Sequence, residues 1–357
     1  MSSDKKRSTA MDYLRENKDK SFMELPFSIP DAMLLANAIY MRFKGLVPEN
    51  GNTVTFGDID RVMDKNKVFA HPLYGPVYRK TFEEMKDSRR YSKIRLGYFR
   101  EITDKTTEAQ FAAVTYFLGS DRIFVVFRGT DGSLLGWKED FNYGFLEEMP
   151  SQQLAVDYLD EIAKKTTQKM YVGGHSKGGT LSVFASAKLD QEAQERILKV
   201  FTFDGIGFKK GFIDSPGFQS IADRVIKIMP EHGFIGRLFE MEPEYKIARS
   251  SGEGFEQHDF MNWYVKNGQV VYTNSFTEKS TKFAAKFNNW IRGLYEDEIE
   301  NFVEVLFEIL GNAGIDDVDL FFLNPSKYIG LFIKELFAID GKRRRRFLGT
   351  VFKYLKA

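Results

Sequence analysis

The apolar positions of this chain change period near residue 95. Upstream, Ser28 to Met41 reads as a helix with Pro30 and Asp31 in its first turn and an apolar body behind them. Thr81 to Arg90 is a second helical stretch, and the polar residues 1–20 are expected to fray. From Tyr98 the pattern becomes β-rich, in Tyr98–Ile102, Gln110–Leu118 and Arg122–Arg128, divided by the turn-like Asp104-Lys105 and Gly119-Ser120-Asp121. The last two stretches predict a hairpin feeding a central strand around Ile123–Phe127. A helix from about Ser151 to Lys165, a strand Lys169–Gly173 and a helix Gly178–Leu189 follow. Apolar strands come next at Lys199–Phe203, Arg224–Met229, Tyr245–Arg249 and Gln269–Thr273. Strands alternating with helices predict βαβ units and a mostly parallel sheet.

Beyond residue 280 the pattern turns helical again, with amphipathic stretches at Ser280–Tyr295, Glu298–Leu310 and Ser326–Phe337. The chain therefore divides into an N-terminal helical segment (1–95), an α/β core (96–279) and a C-terminal helical extension (280–357). Composition narrows the class. A hydrophobic fraction of 43% and a charged fraction of 28% are those of a globular protein. Fifty-one basic residues face 50 acidic ones, so overall charge makes no case for nucleic acid as a partner. There is no cysteine, which excludes disulfides, thiolate metal sites and a cysteine nucleophile. The charged start, Met1-Ser-Ser-Asp-Lys-Lys-Arg7, lacks the apolar run of a signal peptide, and no apolar stretch approaches bilayer length. The expected location is cytoplasmic.

The segment Met170–Phe184 carries the chemistry. Gly174-His175-Ser176-Lys177-Gly178 satisfies G-x-S-x-G between a strand and a helix, the nucleophile elbow of an α/β-hydrolase. Residues without Cβ atoms two positions either side of the serine let strand and helix approach closely. The helix N-terminus then directs N–H groups at negative charge developing near the hydroxyl. Phe127-Arg-Gly-Thr-Asp131 ends the central strand and supplies Thr130, whose N–H, with that of Lys177, forms an expected oxyanion hole; the Thr130 hydroxyl offers a third donor.

A serine nucleophile needs a base, and the chain has four histidines, His71, His175, His232 and His258. His175 adjoins Ser176, where neighbouring side chains diverge, so it is read as steadying the turn. His258 falls in the chain order Ser, acid, His used by this fold. His71 and His232 stay open. The orienting acid is Asp204 or Glu231, each following a strand that ends near Ser176. Asp204 is favoured, because Gly205 and Gly207 let its loop draw close.

These residues resemble the Mbeg1-like family of bacterial α/β-hydrolase-fold proteins and, more distantly, the class 3 lipases. The matching runs are Ser21–Phe27 with Asp31, Phe127–Asp131 with Gly136–Asp140, Gly173–Gly179, Phe203–Phe208 and Gln257–Asp259, spread over about residues 11–265. The resemblance implies Ser176 as nucleophile, His258 as base and Thr130 in the oxyanion hole, and it leaves residues 280–357 outside. Lys177 stands where lipases carry an apolar residue, which weighs against a purely lipidic substrate.

The expectation is a serine hydrolase for an ester, thioester or related small acyl substrate, needing no cofactor and no metal. The alternative is a hydrolase-fold binding or scaffold protein that works through its C-terminal helices. The cluster Arg343, Arg344, Arg345 and Arg346 suits either a helix cap or a weak contact with an anionic membrane surface. Phenylalanine is abundant (34 residues), especially among residues 321–337, and most of it is expected to be core, with a helical lid or a partner-binding face as the alternative.

Overall fold

Along the strand Arg122–Phe127 (β4) side chains alternate between two apolar layers. Phe124 and Val126 pack into one, Ile123, Val125 and Phe127 into the other. A strand buried on both faces is the mark of a sheet covered by helices on each side. The computed structural model describes residues 8–209, 211–239, 241–242, 244–252 and 254–356. The charged start Met1–Arg7 lies outside the described residues.

The sheet has nine strands: Val54–Thr55 (β1), Arg95–Asp104 (β2), Ala109–Phe117 (β3), β4, Lys169–His175 (β5), Ile197–Phe203 (β6), Val225–Pro230 (β7), Tyr245–Ala248 (β8) and Tyr272–Thr273 (β9). They lie side by side in that order. β4 to β8 run parallel, while β1 to β3 and β9 add antiparallel edges. The predicted stretch Gln269–Thr273 divides, because Gln269–Val270 pairs with Val265–Lys266 in a separate ribbon and only Tyr272–Thr273 joins the sheet.

One face is covered by Ala10–Asn17 (α1), Ile29–Ala38 (α2) and Gly75–Lys86 (α3), the other by Pro150–Lys165 (α5) and Lys177–Lys188 (α6). Fraying of residues 1–20 does not hold for the described part. Ala10, Tyr13 and Leu14 recur at helical spacing and are buried, so the polar residues between them line the outer face. α2 is fixed by its first turn. Asp31 is fully buried, 2.7 Å from the equally buried Arg90, and accepts from the hydroxyls of Tyr13, Ser28 and Tyr91. Arg90 also donates to the Leu25 carbonyl, locking the strap that precedes α2.

A helix absent from the sequence reading, Leu134–Asn142 (α4), follows β4 and presses on β3. The C-terminal extension forms Glu278–Arg292 (α7), Glu296–Asn312 (α8), Val318–Leu323 (α9), Pro325–Ala338 (α10) and Gly341–Lys356 (α11). The arginine run, placed before a short apolar segment by the sequence, is the first turns of α11. Arg343 and Arg346 pair with Glu308 and Asp297, and Arg344 donates to the Phe337 carbonyl. α10 buries no residue, and Phe337 is 68% exposed, so the phenylalanines of 321–337 are not mostly core.

Candidate active site

Ser176 sits between β5 and α6 with φ 56° and ψ −131°, a conformation that L-residues rarely adopt. The close approach that permits it depends on Gly174 and Gly178. A Cβ on Gly174 would run into the Gly178 backbone, and one on Gly178 would strike the Phe127 carbonyl and come within 2.9 Å of Arg128. Ser176 is anchored by its own N–H, which donates to the Phe203 carbonyl at 2.9 Å. At the start of α6 the Gly179 and Thr180 N–H groups donate to the Ser176 carbonyl, which leaves those of Lys177 and Gly178 without an intrahelical partner. Thr130 follows β4 beside them, and its hydroxyl is bonded to the Asp140 carboxylate of α4. Burial raises the Asp140 carboxyl to about 6.

His258 lies in the turn Gly254–His258. Its Nδ1 is 2.6 Å from Oδ2 of Asp204, whose Oδ1 accepts the Gly236 N–H at 3.0 Å. Asp204 is 1% exposed, follows β6 and also has positive φ (50°). Glu231, the other candidate acid, turns to the Ser250 N–H at 3.4 Å. Of the remaining histidines, His232 is exposed, and His71 accepts the N–H groups of Leu73 and Tyr74 through Nδ1.

His175, next to Ser176, is held at both ring nitrogens. The Gly129 N–H donates to the Tyr40 hydroxyl at 3.1 Å, and that hydroxyl lies 3.0 Å from His175 Nδ1. Nε2 of His175 is 2.6 Å from the His258 carbonyl oxygen, which can only accept, so this nitrogen carries the proton and Nδ1 accepts from Tyr40. Burial, reinforced by His258, holds the His175 imidazole well below the usual histidine range and therefore neutral. One relay of hydrogen bonds thus ties the β4 loop, the turn after α2, the elbow and the His258 turn together.

Lys177 corrects the sequence reading. Its side chain is fully buried, with Nζ 2.7 Å from Glu139 and bonded to both the carbonyl and the side chain of Gln110. It runs behind the elbow rather than toward the substrate side, so it does not weigh against an apolar substrate.

Two cavities meet at Ser176 and His258. The larger, about 410 Å³, is walled by aromatic and aliphatic groups, among them Phe141 of α4, Phe234, Phe287 and Trp290 of α7, and Phe302 of α8. The C-terminal helices therefore line the space in front of the serine. The smaller, about 60 Å³, is the more polar of the two and includes Asn37, Asp259 and Asp319. Burial raises the carboxyls of Asp259 and Asp319 to about 6. The sign of that shift gives a test on Asp319, which is 8% exposed and accepts from Trp137 Nε1. A carboxyl that protonates more readily folded than unfolded favours the folded state fully below about pH 4 and loses that advantage as pH rises through about 6. Asp319→Asn keeps an acceptor for Trp137, so it is expected to raise Tm near pH 7.5, with the gain vanishing by about pH 4 in thermal melts.

A five-strand parallel core with an elbow serine after its second strand and an Asp–His pair from later loops defines an α/β-hydrolase-type protein. The chain belongs to the Mbeg1-like family, whose profile matches residues 85–308. The match starts later than the resemblance of the short motifs and runs further, through α7 and most of α8. Among solved structures, the chain is similar to a mutant form of MDLA from Penicillium cyclopium, at 12% identity and TM-score 0.41, over 70% of this chain and 87% of that one. It is also similar to M37 lipase, at 14% identity and TM-score 0.37, over 59% of this chain and 70% of that one. No curated protein matches the chain significantly. Among the described residues, no helix is long and apolar enough to cross a membrane.

Proposed function

We propose that this protein is a serine hydrolase that cleaves esters, or thioesters, of apolar acyl groups. The observation that carries the reading is the His258–Asp204 hydrogen bond of 2.6 Å, with His258 and Ser176 both lining one apolar cavity of about 410 Å³. With Nδ1 committed to Asp204, Nε2 is the nitrogen of His258 that takes the Ser176 proton. The serine oxygen attacks the acyl carbonyl, and the N–H groups of Lys177 and Thr130 receive the negative oxygen. The bond to the leaving group then breaks, and that group departs with the proton held by His258. Water, losing a proton to His258, attacks the acyl-enzyme and releases the acid, and Ser176 recovers its proton. Asp140, by holding the Thr130 hydroxyl, fixes the loop that offers the Thr130 N–H.

A chain-length series tests the reading. p-Nitrophenyl octanoate is expected to exceed the acetate in kcat/KM by at least about tenfold, since each buried methylene adds to binding of the reacting ester. Equal values for the two esters would contradict the assignment of the apolar cavity to the acyl chain.

A further inference from the structure

The reacting centre of an ester has two arms, and two cavities reach Ser176. The apolar one suits an acyl chain and leaves the polar one, of about 60 Å³, for the group that departs. The charges of that polar wall are one-sided. Asp131, Asp259 and Asp319 line it, and no lysine or arginine does. Asp131 is compensated from behind by Arg128 at 3.3 Å. Asp259 and Asp319 form no ion pair with a lysine or arginine among the described residues. Their remaining contacts are donors of neutral kind, the Met261 N–H and Trp137 Nε1.

A second observation concerns Asn37 of α2. This residue is only 4% exposed, lines the same cavity, and has a side-chain carbonyl oxygen without a hydrogen-bond partner among the described residues. A carbonyl dipole left unpaired presents its negative end, which a nearby cation stabilises even without an N–H to donate. Much of the rest of the wall is aromatic. Tyr74 and Tyr78 stand with ring centroids 6.1 Å apart, and Trp137 lines the same space. Buried carboxylates, an unmet acceptor and π faces together favour one kind of guest, an alkylammonium group. A phosphate would be repelled by the carboxylates, and a neutral polyol would leave their charge uncompensated.

Resting on the serine-hydrolase reading above, we propose that the polar cavity is the leaving-group subsite and that it selects an alcohol bearing an alkylammonium group, with Asp319 and Asp259 as its charge partners. During acyl transfer the ester C–O bond breaks, the Ser176–acyl bond forms, and the amino alcohol leaves with the proton that His258 took from Ser176. The cation itself undergoes no chemistry.

The test compares octanoylcholine with 3,3-dimethylbutyl octanoate, its uncharged isostere, on the full chain. The choline ester is expected to have at least about tenfold higher kcat/KM, and Asp319→Asn is expected to reduce that preference below about threefold. Tetramethylammonium chloride is expected to slow fluorophosphonate labelling of Ser176 in the wild type more than sodium chloride at equal ionic strength. Equal kcat/KM for the two esters in the wild type overturns the proposal while leaving the serine-hydrolase reading intact. So does Ser176 labelling without turnover of the choline ester. A parallel loss for both esters in Asp319→Asn, with the ratio kept, overturns the role of that carboxylate as charge partner. If Ser176 takes no probe and neither ester is cleaved, the hydrolase reading fails with it.

Discussion

Asp204→Asn is expected to lower kcat toward an apolar ester by about ten-thousand-fold, with the fold retained. With its carbonyl oxygen kept on the Gly236 N–H, the asparagine turns its NH2 group to His258 Nδ1 and donates to it, which forces the ring proton onto Nε2 and removes the base proposed for Ser176. The same reasoning separates the two acids that the sequence left open. Glu231 contacts the Ser250 N–H rather than His258, so Glu231→Gln is expected to change kcat by less than about threefold. Steady-state kinetics on the two variants, with circular dichroism as a check of folding, decides the matter. A comparable loss in Glu231→Gln would point to a different orienting acid.

The second large effect concerns stability. Lys177 and Glu139 are both fully buried and 2.7 Å apart. Removing one partner strands the other charge in the protein interior, so Lys177→Met is expected to destabilise by about 3–5 kcal/mol. Adding Glu139→Gln is expected to recover part of that loss, because no uncompensated charge then remains. Urea unfolding of the single and double variants reads both numbers. Because the proposed oxyanion hole uses the Lys177 N–H and not its side chain, the folded fraction of Lys177→Met is expected to keep most of the esterase activity proposed for the wild type. A large fall in kcat without a fall in stability would place the ammonium in the reaction instead.

Lys177 also shows where the sequence was legible and where it was not. The elbow, the strand–helix alternation and the position of Ser176 follow from local spacing, because glycine pairs and apolar periods are read over a few residues, whereas His258 rested on chain order and Asp204 stayed open beside Glu231. The direction of the Lys177 side chain is set by Glu139 and Gln110, 38 and 67 residues away, and no local pattern records that. α4 escaped for a similar reason. Its nine residues bury only Gly136, Glu139 and Asn142, so the apolar stripe that announces a helix is missing, yet it carries Trp137 and Asp140 to the site. The apolar cavity collects Phe141, Phe234, Phe287, Trp290 and Phe302 from segments far apart in the chain. Abundant phenylalanine hinted at a core, and only the fold shows that some of it surrounds an open space. At the N-terminus, the three buried apolar residues of α1, Ala10, Tyr13 and Leu14, were outweighed by the polar residues around them.

The nucleophile assignment is the claim on which the rest depends, and covalent labelling tests it most directly. The full chain would be incubated with a fluorophosphonate and the adduct located by peptide mass spectrometry. A single adduct on Ser176, absent in Ser176→Ala and strongly slowed in His258→Ala, is the expected result. No adduct in the folded wild type, or equal labelling of wild type and Ser176→Ala, would contradict the account and favour a hydrolase-fold binding protein.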